Sequence, residues 1–380
     1  MRNILLVALL CLATGAQAHL AISGNDGKQL QKGEDIGVTP DSVSVIDLAV
    51  YPPKVIGTVN GPASMIGPPE AVVVARDESF AIVTAAQKFN PADPMHPADD
   101  DKVSVIDLST PSKPRFVQTV AAGPGASGVA MNKAENLVLV AAKMDGAIHV
   151  FRLAGKRLTH VGRVDLGTGA QPTDVVFAAD GRHAYAVVQG INKVMELAVD
   201  GTKVATTGRD VATGKSPYGA AVTPDGNWLI NTNVGGALTG DDHTGTVTMV
   251  DLKTHRLALS LAVGKTPEHV SLSPDGKYIA VVLANGTANV KSDPRYGGVL
   301  GYIKVLAVGP GILTPVAEAD SCHWAQGATW SPDGKLILQQ CATERDILVY
   351  HFDGKSLTQD KAATMTFESR PGSIATAVSR

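Results

Sequence analysis

Apolar and polar residues alternate in short runs along most of the chain, and four of these runs nearly superimpose. They are Pro172-Thr-Asp-Val-Val-Phe-Ala-Ala-Asp-Gly181, Pro217-Tyr-Gly-Ala-Ala-Val-Thr-Pro-Asp-Gly226, Pro267-Glu-His-Val-Ser-Leu-Ser-Pro-Asp-Gly276 and Ala325-Gln-Gly-Ala-Thr-Trp-Ser-Pro-Asp-Gly334. Each reads as a strand of period two ending in a tight turn, because glycine tolerates positive φ and Asp-Gly between apolar runs marks a hairpin. A second strand follows directly, as at 278–283 and 336–340. Three weaker copies start at Pro69, Ala126 and Pro371, with turns near Asp77, Ala134 and Ser379.

A third strand recurs in each unit. Ser42-Val-Ser-Val-Ile-Asp-Leu48 and Val103-Ser-Val-Ile-Asp-Leu108 are almost identical, and Val247-Thr-Met-Val-Asp-Leu252 is close. A fourth follows several of them, as in Lys54-Val-Ile-Gly-Thr-Val59. The seven first strands begin 45 to 58 residues apart. Four antiparallel strands per unit at that spacing predict an all-β, seven-bladed β-propeller, in which each blade packs its face on its neighbours. The last copy has only its inner strand, and the start of the chain (19–23, 42–48, 54–59) has only the later three. The two ends are therefore expected to share one blade and close the ring.

The Val-Ser-Val-Ile-Asp-Leu strands and Ser-Pro-Asp-Gly turns resemble those of the seven-bladed YVTN/lactonase-like β-propeller superfamily. The resemblance covers nearly the whole chain after residue 18. It implies the fold. For function it implies a range: lactone hydrolases, a muconate-lactonising type, haem-d1-binding propellers and non-catalytic binders. No catalytic signature of the superfamily can be carried over residue by residue.

The first 18 residues change the setting. Met1-Arg2-Asn3 is a short basic start, 4–13 is apolar, and Ala16-Gln17-Ala18 is a small-x-small cleavage site. This is the pattern of a secretory signal peptide cleaved after Ala18, leaving 19–380 as one propeller domain. The apolar run is too short to span a bilayer, which takes about 20 residues, and no later segment is apolar for long enough. A short signal of this kind resembles bacterial ones and points to the periplasm. There Cys322 and Cys341 form an even pair at one end of a predicted hairpin, readable as a disulfide or as two free thiols. The formal net charge of −3 gives no reason to expect nucleic-acid binding.

Candidate chemistry follows from the predicted geometry. Loops between second and third strands are long at 24–40, 86–101, 233–245 and 285–298, and they share a face with the starts of the inner strands. Long loops on one rim of a rigid scaffold are the usual place for a site. The inner-strand starts bring Glu70, Ser127, Asp174, Tyr218, Glu268, His269, His323, Gln326 and Ser373 toward one axis. Glu70, Asp174 and Glu268 are candidate bases, His269 and His323 candidate proton carriers near neutrality, and Arg295 a candidate carbonyl polariser. Asp241-Asp242-His243 is a candidate cluster for a divalent metal such as calcium, or a solvated turn. Asp99-Asp100-Asp101 reads as a surface run. Gly-x-Ser-x-Gly, His-Glu-x-x-His, P-loop, dinucleotide and Cys-x-x-Cys-His motifs are absent.

Three functions stay open on these grounds. The first is a hydrolase or isomerase acting on a small lactone or carboxylate at the axial rim. The second is a non-catalytic binder of a protein, a metabolite or a haem-type cofactor, and the third a structural or surface interaction propeller. A monomer is expected, with a small molecule or a periplasmic protein as partner.

Overall fold

The computed structural model describes residues 19–377 apart from 35–36, 239 and 241–242, so the leader and Asp241-Asp242 lie outside the described residues. Seven four-stranded antiparallel sheets surround one axis. The inner strands, from blade 1 to blade 7, are Arg370–Thr376, Val72–Val74, Ala126–Met131, Pro172–Phe177, Pro217–Val222, Pro267–Leu272 and Ala325–Trp330. Blade 1 joins the two ends of the chain: Arg370–Thr376 pairs with Leu20–Asp26, which pairs with Ser42–Asp47 and then Lys54–Asn60.

The core lies between blades. Val73, Phe80 and Val103 of blade 2 pack on Val129, Val138 and Phe151 of blade 3, all buried. Trp330 of blade 7 is fully buried and donates its indole N–H to the Ser271 carbonyl of blade 6 at 3.0 Å. Flat, branched side chains suit this face-to-face contact. Ring closure is also hydrogen-bonded. Gln340 donates to Ser23 Oγ and to the Ser373 carbonyl, both at 2.9 Å. Buried Arg370 donates to the carbonyls of Gln29 and Ala342 at 2.8 Å and pairs with Glu34.

The turn motif is explained by its bonds. In Ser273-Pro274-Asp275-Gly276, Gly276 stands at φ +69°, its N–H donates to the Ser273 carbonyl, and Asp275 Oδ1 accepts from Lys277 N–H. Ser273 Oγ accepts from Tyr278 N–H at 3.0 Å. In blades 2 and 3 glutamate replaces that glycine, and Glu78 and Glu135 hold φ +56° and +52°. This region costs a side-chain-bearing residue about 1 kcal/mol.

The Asp99-Asp100-Asp101 run departs from expectation. It belongs to the strand Ala98–Asp107, with Asp100 buried at 8% exposure. The backbone carbonyls of Asp100 and Asp101 accept from Gly125 and Ala122 N–H, and Lys102 pairs with both carboxylates. Lys102 offsets part of the charge of Asp100 and Asp101, and Asp99 is exposed to solvent. The loop placed at 86–101 is correspondingly shorter, since Phe80–Lys88 and Ala98–Asp107 extend into it. The disulfide Cys322–Cys341 is present, with Cα atoms 5.8 Å apart.

Candidate functional site

The inner strands start with a local irregularity. Register shifts fall between Pro172 and Asp174, Pro217 and Ala220, Pro267 and His269, Ala325 and Ala328, and Ala126 and Val129. Such bulges re-aim side chains. The next residues are small where a neighbour needs room: a Cβ on Gly219 would sit 2.2 Å from Glu70 Oε1. Glu70 of blade 2 thus reaches across to blade 5, and its Oε1 lies 3.5 Å from His269 Nε2 of blade 6. His269 Nδ1 accepts the Ala328 N–H of blade 7 at 2.9 Å, which puts the ring proton on Nε2 facing Glu70. Both side chains are buried, at 2% and 5% exposure.

Glu268 and Gln326 complete this group. Gln326 Nε2 donates to Glu268 Oε2 at 2.6 Å. Burial pushes the Glu268 carboxyl up to about 7, against the pull of that amide. Burial and the nearby Glu268 carboxylate also raise the Tyr218 phenol, while the Gly67 N–H opposes them.

Sequence reasoning missed what covers these residues. The connection 61–70 between blades 1 and 2 runs over the axis. Met65 packs on Gly372 of blade 1, Gly67 on Ser127 of blade 3, and Pro69 on Gly327 of blade 7. Asp26 Oδ2 accepts the Met65 N–H at 2.9 Å, and buried Lys28, paired with Asp26 and Asp41, donates to the Ala63 carbonyl. Under this cap the cavity lined by Glu70, His269, Ser271 and Ala328 holds about 10 Å³, room for one water. The cluster Pro62, Pro68, Pro69 was the available signal, since such a segment cannot join a sheet ladder.

The other candidates have partners of their own. Asp174 Oδ2 accepts the Ala220 N–H at 3.0 Å and so bridges blades 4 and 5, as His269 bridges 6 and 7. His323 stacks on Tyr296, with centroids 3.9 Å apart, and its Nδ1 lies 2.5 Å from Glu344 Oε1. Arg295 stands on an exposed loop, held bidentately by Asp293. His243 is exposed, and its carbonyl accepts the Gly236 N–H at 2.9 Å. Glu344 also lies within 4.8 Å of both sulfurs of Cys322–Cys341, but bonded sulfurs are not thiolate ligands.

At the opposite mouth, among the tight turns, the axis opens into a funnel of about 420 Å³. Blades 1 to 6 line it, with Val74, Met131, Phe177, Val222 and Leu272 on the wall and Arg76, Lys133 and Glu135 at the rim.

No family model matches the chain, and no curated protein is similar to it. Solved structures are. A "putative 6-phosphogluconolactonase" from Bacteroides uniformis superposes with TM-score 0.70 at 16% identity, over 95% of this chain and 99% of that one. The chain shares the seven-bladed β-propeller fold of that protein. A second protein of the same description, from Bacteroides fragilis, gives TM-score 0.70 at 16% identity, over 96% and 99%. A dihydro-haem d1 dehydrogenase gives TM-score 0.58 at 13% identity, over 95% of this chain and 75% of that one. At these identities the likeness concerns the fold alone.

Proposed function

We propose that the protein is an exported, monomeric binding propeller that takes a small molecule into the axial funnel of its tight-turn face. One observation carries this reading. The funnel holds about 420 Å³, within the range of small-molecule sites, and its wall is apolar with a few polar groups at the rim. At the other end of the axis, the Glu70–His269 pair beneath 61–70 borders a cavity of only about 10 Å³. Export is supported by the leader, with the mature chain starting at His19. Native mass spectrometry of protein purified from its own host tests both parts. The expected result is a single chain starting at His19 that carries a non-covalent small molecule, lost when Val222→Trp fills the funnel. A host protein that carries nothing, and binds nothing from a metabolite extract, overturns the reading.

A second reading, hydrolysis of a lactone, draws on the Glu70–His269 pair and on Glu268, a carboxyl held near neutral pH and therefore suited to proton transfer. A lactone would reach these groups only if 61–70 moved aside. Assay against aldonolactones and aromatic lactones, with Glu268→Gln as control, tests it. No turnover removes it, as does turnover that the variant retains.

A further inference from the structure

The geometry points to an amphipathic organic monoanion, an apolar body bearing one carboxylate, as the occupant of the tight-turn funnel. This deepens the binding reading above and rests on it. The evidence is the way charge is distributed around the mouth. The residue after the inner strand's closing Ser or Thr is Pro224 in blade 5, Pro274 in blade 6 and Pro332 in blade 7, and Ala179 fills it in blade 4. In blades 2 and 3 the same position holds Arg76 and Lys133. Pro224, Pro274, Arg76 and Lys133 all line the funnel. One side of the mouth is therefore cationic and the other apolar.

The two cations are available. Arg76 and Lys133 are both exposed at the rim. The acid that lines the funnel beside them, Glu135, spends Oε1 on the Arg76 backbone N–H at 2.8 Å rather than on the guanidinium. The turn carboxylates face their own backbones: Asp180, Asp225 and Asp275 accept from Arg182, Asn227 and Lys277 N–H. They compete little for a cation across the mouth.

The two turns are also held together. Glu135 sits at φ +52° where blades 4 to 7 have glycine, and from there it ties the turn carrying Arg76 to the turn carrying Lys133. A glycine would avoid the backbone cost but could not make this bridge. The strained residue keeps two cationic turns side by side, which is the preorganisation a carboxylate site needs. An apolar wall beyond them, from Met131 and Phe177 to Val222 and Leu272, suits a ring or short alkyl body.

Calorimetric titration with 2-naphthoate and its neutral partner 2-naphthamide tests the inference. The full mature chain should bind the carboxylate at least tenfold more tightly than the amide, with the difference shrinking at high salt. Arg76→Gln/Lys133→Gln should erase that difference, and Val222→Trp should abolish binding of both probes. Equal affinity for the two probes, lost in Val222→Trp, overturns the anion inference and leaves the binding reading standing. A carboxylate preference that survives in the double variant overturns it too. Absence of binding by either probe, together with a host protein that carries nothing, overturns both. Thermal melts of the exposed-site double variant confirm that it folds like the parent.

Discussion

The two mouths of the axis are built from the same seven strands and end up opposite in character. At the long-loop mouth, polar side chains converge, meet one another and are closed over by 61–70. At the tight-turn mouth the strands end in small and apolar residues, and the space stays open at about 420 Å³. The contrast shows that polar density near an axis is not by itself a site. His269 and Asp174 accept backbone N–H groups of neighbouring blades and so help hold the blades in register, while Ser127 Oγ, Gln326 Oε1 and Ser373 Oγ are buried there without a hydrogen-bond partner. An apolar funnel without internal partners is what remains for a ligand.

Both mouths require a closed ring, so the largest effect is expected from opening it. Ending the chain at residue 369 removes the inner strand of blade 1 and the buried Arg370. Cooperative thermal unfolding should be lost; a truncated chain that melts like the parent would show that closure is dispensable. Next comes the contrast itself. Glu70→Ala and His269→Ala, at the closed mouth, should each lower the free energy of unfolding in urea by about 2–4 kcal/mol. Arg76→Ala and Lys133→Ala, at the open mouth, should stay within about 0.5 kcal/mol. Equal losses at both mouths would erase the distinction between a structural face and a binding face.

The Cys322–Cys341 bridge ties down the closed side only. Replacing both cysteines by serine should cost about 3 kcal/mol in urea unfolding and leave funnel binding intact. Glu268 supplies a pH signature for the same side. Its carboxyl is raised from 4.5 to about 7, so the folded state prefers the neutral form. Stability fully present at low pH is then lost as pH rises through about 4.5 to about 7, by roughly 1–3 kcal/mol. Glu268→Gln should flatten that fall; an unchanged slope would show that Glu268 titrates normally. A small change is also expected from Glu135→Gly, where relief of a left-handed backbone offsets a lost hydrogen bond to within about 1 kcal/mol. Its readout is a weaker carboxylate preference in the funnel.

How much of this was legible in the linear chain differs by level. The blade count, the inner-strand starts at Ala126, Pro172, Pro217, Pro267 and Ala325, and the shared first blade follow from local rules. Strand alternation and the Asp-Gly turn are encoded over a few residues. The convergence of Glu70, Glu268 and His269 also followed, because seven equivalent strands around an axis must bring equivalent positions together. Asp174, His323 and Arg295 could not be separated from them in the same way. What each does depends on a neighbour distant in sequence: the Ala220 N–H, Glu344 with Tyr296, and the course of an exposed loop.

The repeats by themselves determined the seven blades, the hairpin turns and the closure of the ring, because backbone preferences and binary patterning act within one repeat. Only the tertiary structure decided which end of the axis is open. That outcome depends on where the irregular segment 61–70 lies and on which side chains satisfy one another across blades, and both are set by contacts between residues far apart in the chain.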